Sequence, residues 1–227
     1  MTNQKTLDTI NEILATAEAD KIAIVFAMLK ELKLKLIEDI EISEAKGNGK
    51  DNVLKGFKYI LKNTENSEAH ANLHKVFKYG NNYVVSDAHN LLMYSGELNF
   101  KETSNPEKCP EFMMNVLKSF PNEQAQIDNQ FIKIDMPSKA TVKNVISEQK
   151  AYNKLHNLKK KAEQPKPIYQ IKEDRVKVNI NAEYLLNLIN IGITELYCKE
   201  FMFYGFNPDK SIKGIVCGIR KEQGRKR

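Results

Sequence analysis

No apolar run in this chain approaches the length of a membrane span. The longest, Ile22 to Leu29, falls far short of the roughly 20 residues that a spanning helix needs. No basic stretch followed by an apolar segment opens the chain, so no secretory signal is read there and a cytoplasmic protein with no membrane partner is expected. Cysteine is scarce: Cys109, Cys198 and Cys217 form an odd set without paired spacing, which excludes a disulfide framework or zinc motif and reads as buried reduced thiols. None of the ten glycines precedes a Lys-Ser or Lys-Thr pair, so no phosphate-cradling loop is present. Acid/base and metal patterns are equally thin. Asp87 and His89 are two residues apart in an extended segment with no nucleophile beside them. His70 and His74 stand four apart, but across a loop and a strand start, and no Cys or carboxylate cluster completes a metal shell. The expectation is a binding protein, not an enzyme, with no cofactor and no metal.

What is there suffices for a folded core: 227 residues with 41% apolar content allow one to two domains. The charge is unevenly spread. Residues 1 to 51 hold seven Lys against ten Asp and Glu, near −3, so the net +6 leaves about +9 for the remainder. This asymmetry marks off an N-terminal unit, 1–46, from the rest, with a Gly- and Asn-containing linker at 47–52.

Leu7, Ile10, Ile13, Leu14 and Ala17 recur at helical intervals, and Ile22, Val25, Phe26, Leu29, Leu32, Leu36 and Ile40 continue the stripe in a second run. A helical hairpin follows, serving either as cover for its own domain or as an oligomerisation or partner module. Beyond the linker, Val53, Leu54, Phe57, Ile60 and Leu61 predict a helix whose other side carries Lys55, Lys58 and Lys62. Leu73 to Tyr79 and Tyr83 to Val85 predict a hairpin across Gly80-Asn81-Asn82, Glu111 to Phe120 a helix and Phe131 to Met136 a strand.

From Ser138 a similar order recurs. Ser138 caps a helix expected to reach Lys161, and Pro165 and Pro167 end it. Strands follow at Ile168 to Ile171 and Val176 to Ile180. Asn181 caps a short helix from about Ala182 to Ile191, and Phe201 to Phe206 meets Ile212 to Ile219 across a turn at Asn207-Pro208-Asp209-Lys210. The fold class is therefore α+β, with units at 53–137 and 138–227, the second carrying a basic tail.

On the long helix Lys143, Lys150, Lys154 and Lys161 keep within about 40° of one another at 100° per residue. Val145, Tyr152 and Leu155 are expected on the opposite, packed side. Such a stripe is either a solvated helix face or a phosphate-binding surface, and Gly224-Arg225-Lys226-Arg227 is either a solvated tail or an addition to that surface.

Tyr83 to Tyr94 reads as a strand, a polar corner Ser86-Asp87-Ala88-His89-Asn90-Leu91 and a second strand. The chain closes with Val176 to Asn179, a short helix and three apolar runs ending Cys217-Gly218-Ile219-Arg220. Together these resemble the bacterial DNA polymerase III beta sliding clamp family. Its domains carry a Thr-Asp-x-His-Arg-Leu-like corner, and its chain ends in a strand finishing Met-Pro-x-Arg. Asn90 stands where the family has Arg, and Cys217-Gly218 replaces the Pro-containing ending.

The resemblance covers about residues 52 to 220. It implies a divergent, truncated member, of the kind a phage or mobile element carries, with two clamp-like units of helices on antiparallel sheets after the N-terminal helical hairpin. It further implies a non-catalytic DNA replication accessory or processivity factor. Duplex DNA would meet Lys55, Lys58, Lys62, Lys143, Lys150, Lys154 and Lys161. A peptide of a polymerase or other replication protein would meet Ser86, His89, Asn90, Leu91, Val216, Ile219 and Arg220. The alternative is an interaction or regulatory protein that uses a clamp-like α+β fold without nucleic acid. The family's rings have six domains, so two per chain would call for three copies; the oligomeric state stays open.

Overall fold

A computed structural model describes residues 25–27, 29, 32–33, 36, 39–40, 45–46, 50–64, 72–98, 107–122, 130–158, 164–173 and 176–219. The chain divides into two units, Met1–Asp51 with Asn99–Glu102, and Asn52–Leu98 with Thr103–Arg227. In the first unit Val25, Phe26, Ala27, Leu29, Leu32, Leu36 and Ile40 are helical. Leu29, Leu32, Leu36 and Ile40 are half-buried there, whereas Phe26 is exposed. The expected first helix of the hairpin, Leu7 to Ala17, lies outside the described residues.

The second unit opens with helix α1 (Asp51–Thr64), which begins inside the expected linker and buries Val53, Leu54, Phe57 and Ile60, the periodic positions of the sequence. Strands β1 (Phe77–Tyr79), β2 (Asn82–Ser86) and β3 (Asn90–Tyr94) follow as an antiparallel meander. The β1–β2 turn is one residue tighter than expected, because Tyr79 pairs with Asn82 and Gly80 adopts a φ of +59° that a side chain would resist. Next come β4 (Glu107–Lys108), α2 (Glu111–Lys118), β5 (Ile132–Ile134), α3 (Lys139–Leu155), β6 (Ile168–Glu173), β7 (Val176–Asn181) and α4 (Ala182–Asn190). A second meander, β8 (Glu195–Lys199), β9 (Met202–Phe206) and β10 (Ile212–Cys217), ends the described chain.

The eight-stranded sheet has the order β4-β1-β2-β3-β10-β9-β8-β5, and β6 pairs with β7 separately. The large sheet is mixed, since β4 joins β1 in parallel while β10 joins β3 antiparallel. The architecture is α+β. The stretches 53–137 and 138–227, expected as separate clamp-like units, both lend strands to this one sheet, through β3 against β10 and β5 against β8. Each strand set would otherwise leave an unpaired apolar edge.

The strand order reads the same outward from the β3–β10 pair, and α1 and α4 each precede a three-stranded meander. The two helices run antiparallel: Gly56 faces Ile191 and Asn187, and three residues further along α1, Tyr59 meets Tyr184. Both cover the same sheet face, since Leu92 lies close to Gly56 and also to Gly214, which in turn abuts Leu188 of α4. The other face packs Phe77, Val84, Leu91, Met93, Tyr204 and Ile215 against Met113 and Leu117 of α2.

Glycine at 56 sets the spacing of α1 and α4. A Cβ there would overlap Ile191 Cγ2, and the Gly56 carbonyl accepts a bond from Asn187 Nδ2 at 3.4 Å. Gly56→Val should lower the unfolding free energy by about 3 kcal/mol, as overpacking in a filled core does. Urea denaturation checks it, and an unchanged midpoint would contradict so close a helix pair.

Helices α4 and α3 both end in left-handed residues. Helix α4 stops at Gly192 (φ +90°), with Ile193 N–H donating to Leu188 O at 3.1 Å and Gly192 N–H to Ile189 O at 3.1 Å. Helix α3 stops in the same way at Asn157 (φ +54°), with Leu158 N–H on Asn153 O at 2.9 Å. It therefore ends at Leu155 and not at Lys161; asparagine tolerates the left-handed turn that breaks the helix before the prolines. Lys161 lies outside the described residues.

Candidate functional site

A cleft of about 430 Å³ opens between α1, α3 and the start of α4, with the β2–β3 corner at its base and residues 164–167 along one edge. Helix α1 contributes Tyr59 and Asn63, α3 contributes Ile146, Gln149, Lys150 and Asn153, and the corner contributes Asp87 and His89. Sequence periodicity explains only part of this. On α3 the buried line is Val142, Ile146 and Asn153, with Gln149 half-buried and its Nε2 donating to Asn153 Oδ1 at 3.0 Å.

The expected packed side of α3 is thus corrected. Tyr152 is 49% exposed, Leu155 is 78% exposed and Val145 is half-buried. Half of the true contact line is polar, so a search for apolar positions selects the neighbouring strip. Lys143, Lys150 and Lys154 are exposed as expected, about 90° round the helix from the buried line. Lys150 also lines the cleft. On α1, Lys55 and Lys62 are exposed and Lys58 is half-buried, roughly opposite the side that faces the sheet.

The base of the cleft is held by Asp87, only 3% exposed. Its Oδ1 accepts from the backbone N–H of His89 at 3.1 Å and of Asn90 at 2.7 Å, and Oδ2 accepts from Asn63 Nδ2 at 2.9 Å. The Tyr184 and Tyr59 phenols stand close to this carboxylate, whose charge acts on both. The two rings meet edge to face, with centroids 6.4 Å apart, which closes a circuit from α1 through the corner to α4. Burial raises both phenols well above their ordinary range. The charge of Glu183 adds to the rise at Tyr59, and that of Asp87 at Tyr184.

The corner is tightly wound. Asp87 N–H donates to Asn90 O at 3.0 Å, Ala88 N–H donates to Ser86 Oγ at 3.2 Å, and Ala88 sits at φ +72°. A non-glycine residue in that region is strained by about 1 kcal/mol. Ala88→Gly should recover about that much, seen as a raised denaturation midpoint with the fold unchanged. Asp87 and His89 meet through the His89 backbone N–H, with Oδ1 of Asp87 holding the turn and Oδ2 tying it to Asn63 of α1.

The structure brings together the two halves of the expected peptide pocket, since Asn90 pairs with Val216 and Cys217 N–H donates to His89 O at 2.8 Å. It also encloses most of their side chains. Ser86, Asn90, Leu91 and Val216 are all buried, Leu91 within the core beneath α2. His89 remains exposed in the cleft, and Ile219 is half-buried, its N–H on Asn179 O at 2.6 Å. Arg220 lies outside the described residues. The Asn90 amide is buried with no hydrogen-bond partner on either polar atom, a cost of about 1–3 kcal/mol per group.

His70 also lies outside the described residues, whereas His74 is tied down, with Nδ1 at 2.9 Å from Leu61 O and 3.0 Å from Thr64 Oγ1. Among the described residues no group of three metal-ligating side chains converges, and no helix is long and apolar enough to cross a membrane. Burial raises all three thiols, that of Cys198 to about 11, so they stay protonated at neutral pH. Compared with known proteins, the chain matches no family model, no curated protein and no solved structure.

Proposed function

We propose that this protein is a non-catalytic, sliding-clamp-like accessory factor that holds the sugar–phosphate backbone of duplex DNA on the lysines of α1 and α3. The observation that carries the reading is that Lys150, one of the α3 stripe, lines a cleft whose opposite wall is α1, itself bearing Lys55, Lys58 and Lys62. Two outward lysine rows beside one cleft suit a polyanion with regularly spaced charges. The acids of the cleft weigh little against this, since Asp87 is committed to the turn and Glu183 stands alone beside Lys150 and Lys166. Contacts of this kind hold phosphates and read no bases, so binding is insensitive to sequence.

Fluorescence anisotropy with a labelled duplex tests it. With four lysines on phosphates, the logarithm of the binding constant falls with the logarithm of salt at a slope of about −4. Absence of binding at about 50 mM salt would overturn the DNA reading and leave the interaction protein without nucleic acid.

A further inference from the structure

On the sheet face opposite α1 and α4, a shallow basin of about 350 Å³ lies beyond the C-terminal end of α2. Its walls are Phe120, Phe131 and Met202, its floor is Tyr204, and Lys118 and Lys199 stand on its rim. The rings form a packed set: Tyr204 lies 5.8 Å from Phe120 and 5.2 Å from Phe131, edge to face in both cases. The Lys199 ammonium sits 5.2 Å over the Phe131 ring, and Lys213 sits 5.8 Å over Phe120. Positive charge is thus held against an apolar surface by cation–π contacts. Among the described residues one acid, Glu200, lines the basin.

The floor carries an under-used donor. Tyr204 is 3% exposed, and its hydroxyl has only a 3.3 Å contact with Ser119 Oγ and a 3.6 Å contact with Met202 Sδ. A well-formed O–H···O bond is about 2.7 Å long. Ser119 spends its own proton on Val116 O at 2.6 Å, so in the 3.3 Å pair it is the acceptor and Tyr204 the donor, over a long distance. A buried phenol without a short acceptor, beside an ammonium group and between aromatic walls, complements a carboxylate attached to something apolar.

We propose that this basin docks an acidic peptide segment of a partner protein. A Glu or Asp carboxylate lies between Lys199 and the Tyr204 hydroxyl, and a neighbouring apolar side chain rests on Phe120 and Phe131. Charge complementarity selects the class, and lysines at two separate points of the rim, after α2 and at the end of β8, suit an extended chain. The site is distinct from the lysine cleft and does not depend on DNA. Among its aromatic residues Phe120 is half-buried, whereas Phe131 and Tyr204 are buried.

The test is an NMR titration of isotope-labelled protein, without DNA, using the probe acetyl-Glu-Leu-Phe-amide, its Gln counterpart and 3-phenylpropanoate. The Glu peptide should shift the amides of Ser119, Lys199 and Met202 and bind about tenfold more tightly than the Gln peptide, the worth of one charge-assisted bond. Lys199→Glu, an exposed substitution, should abolish the shifts. Tyr204→Phe, which keeps the ring, should weaken binding about fivefold with the folded spectrum intact. Equal affinity for the two peptides, shifts confined to other regions, or no shifts at all would overturn the proposal. Binding of 3-phenylpropanoate as tightly as the peptide would also overturn it, in favour of a small carboxylate ligand.

Discussion

Asp87→Ala is expected to be among the most destabilising single substitutions outside the apolar core, at about 4 kcal/mol. The carboxylate accepts from two backbone N–H groups and one side-chain amide, and the residue is almost fully enclosed. Truncation leaves those three donors unmatched in a buried setting at about 1 kcal/mol or more each, and it opens a cavity besides. Asp87→Asn makes the argument specific. It keeps Oδ1 for the two turn amides but presents an NH₂ group to the NH₂ of Asn63, so about half the loss is expected. Urea denaturation of the three proteins gives the order wild type, Asn, Ala. Equal stability of the two variants would show that the two turn bonds contribute nothing and that only the bridge to α1 matters. Because the same residue anchors α1 through Asn63, the Ala variant should also loosen the wall that carries Tyr59.

Reversing Lys143, Lys150 and Lys154 together to Glu is expected to weaken duplex binding about a thousandfold near 0.1 M salt and to flatten the salt slope by about 3. Each lysine on a phosphate releases close to one counterion, which near that salt concentration is worth about a factor of ten. The three side chains are exposed and their helix is held by Val142, Ile146 and Asn153, so the fold should persist and thermal denaturation should be unchanged. The alternative reading of the stripe, a solvated helix face, makes the opposite forecast of unaltered affinity. Reversal of Lys62 alone should lower the slope by about 1 if α1 shares the backbone contact, and leave it untouched if only α3 does.

The two predictions draw on parts of the molecule that were unequally readable. The α1 pattern of Val53, Leu54, Phe57 and Ile60, the exposed lysines of both helices, the caps Ser138 and Asn181, and the β9–β10 turn follow from local periodicity and side-chain chemistry. Strand β4 did not: Glu107 and Lys108 are exposed and polar, and they become a strand because β1 offers its edge in parallel. Strand β8 was visible only as an apolar run; its place between β9 and β5 comes from pairing. The buried line of α3 escaped because Gln149 and Asn153 satisfy each other and so pass as a packed surface without being apolar.

By itself, then, the sequence determined which segments are helices and hairpins, which sides of α1 and α3 carry charge, and that the polar corner would join two strands. Those properties depend on residues within a turn or two of one another, where 3.6-residue and two-residue periods act directly. Tertiary structure alone decided that β3 lies against β10, more than a hundred residues away, so that the two expected units share one sheet. It decided that Gly56 brings α1 against α4, that Asp87 anchors the corner to α1, and that most of the expected peptide-pocket residues are enclosed. Each of these outcomes depends on pairing free strand edges and burying apolar faces across the whole chain, which no local pattern encodes.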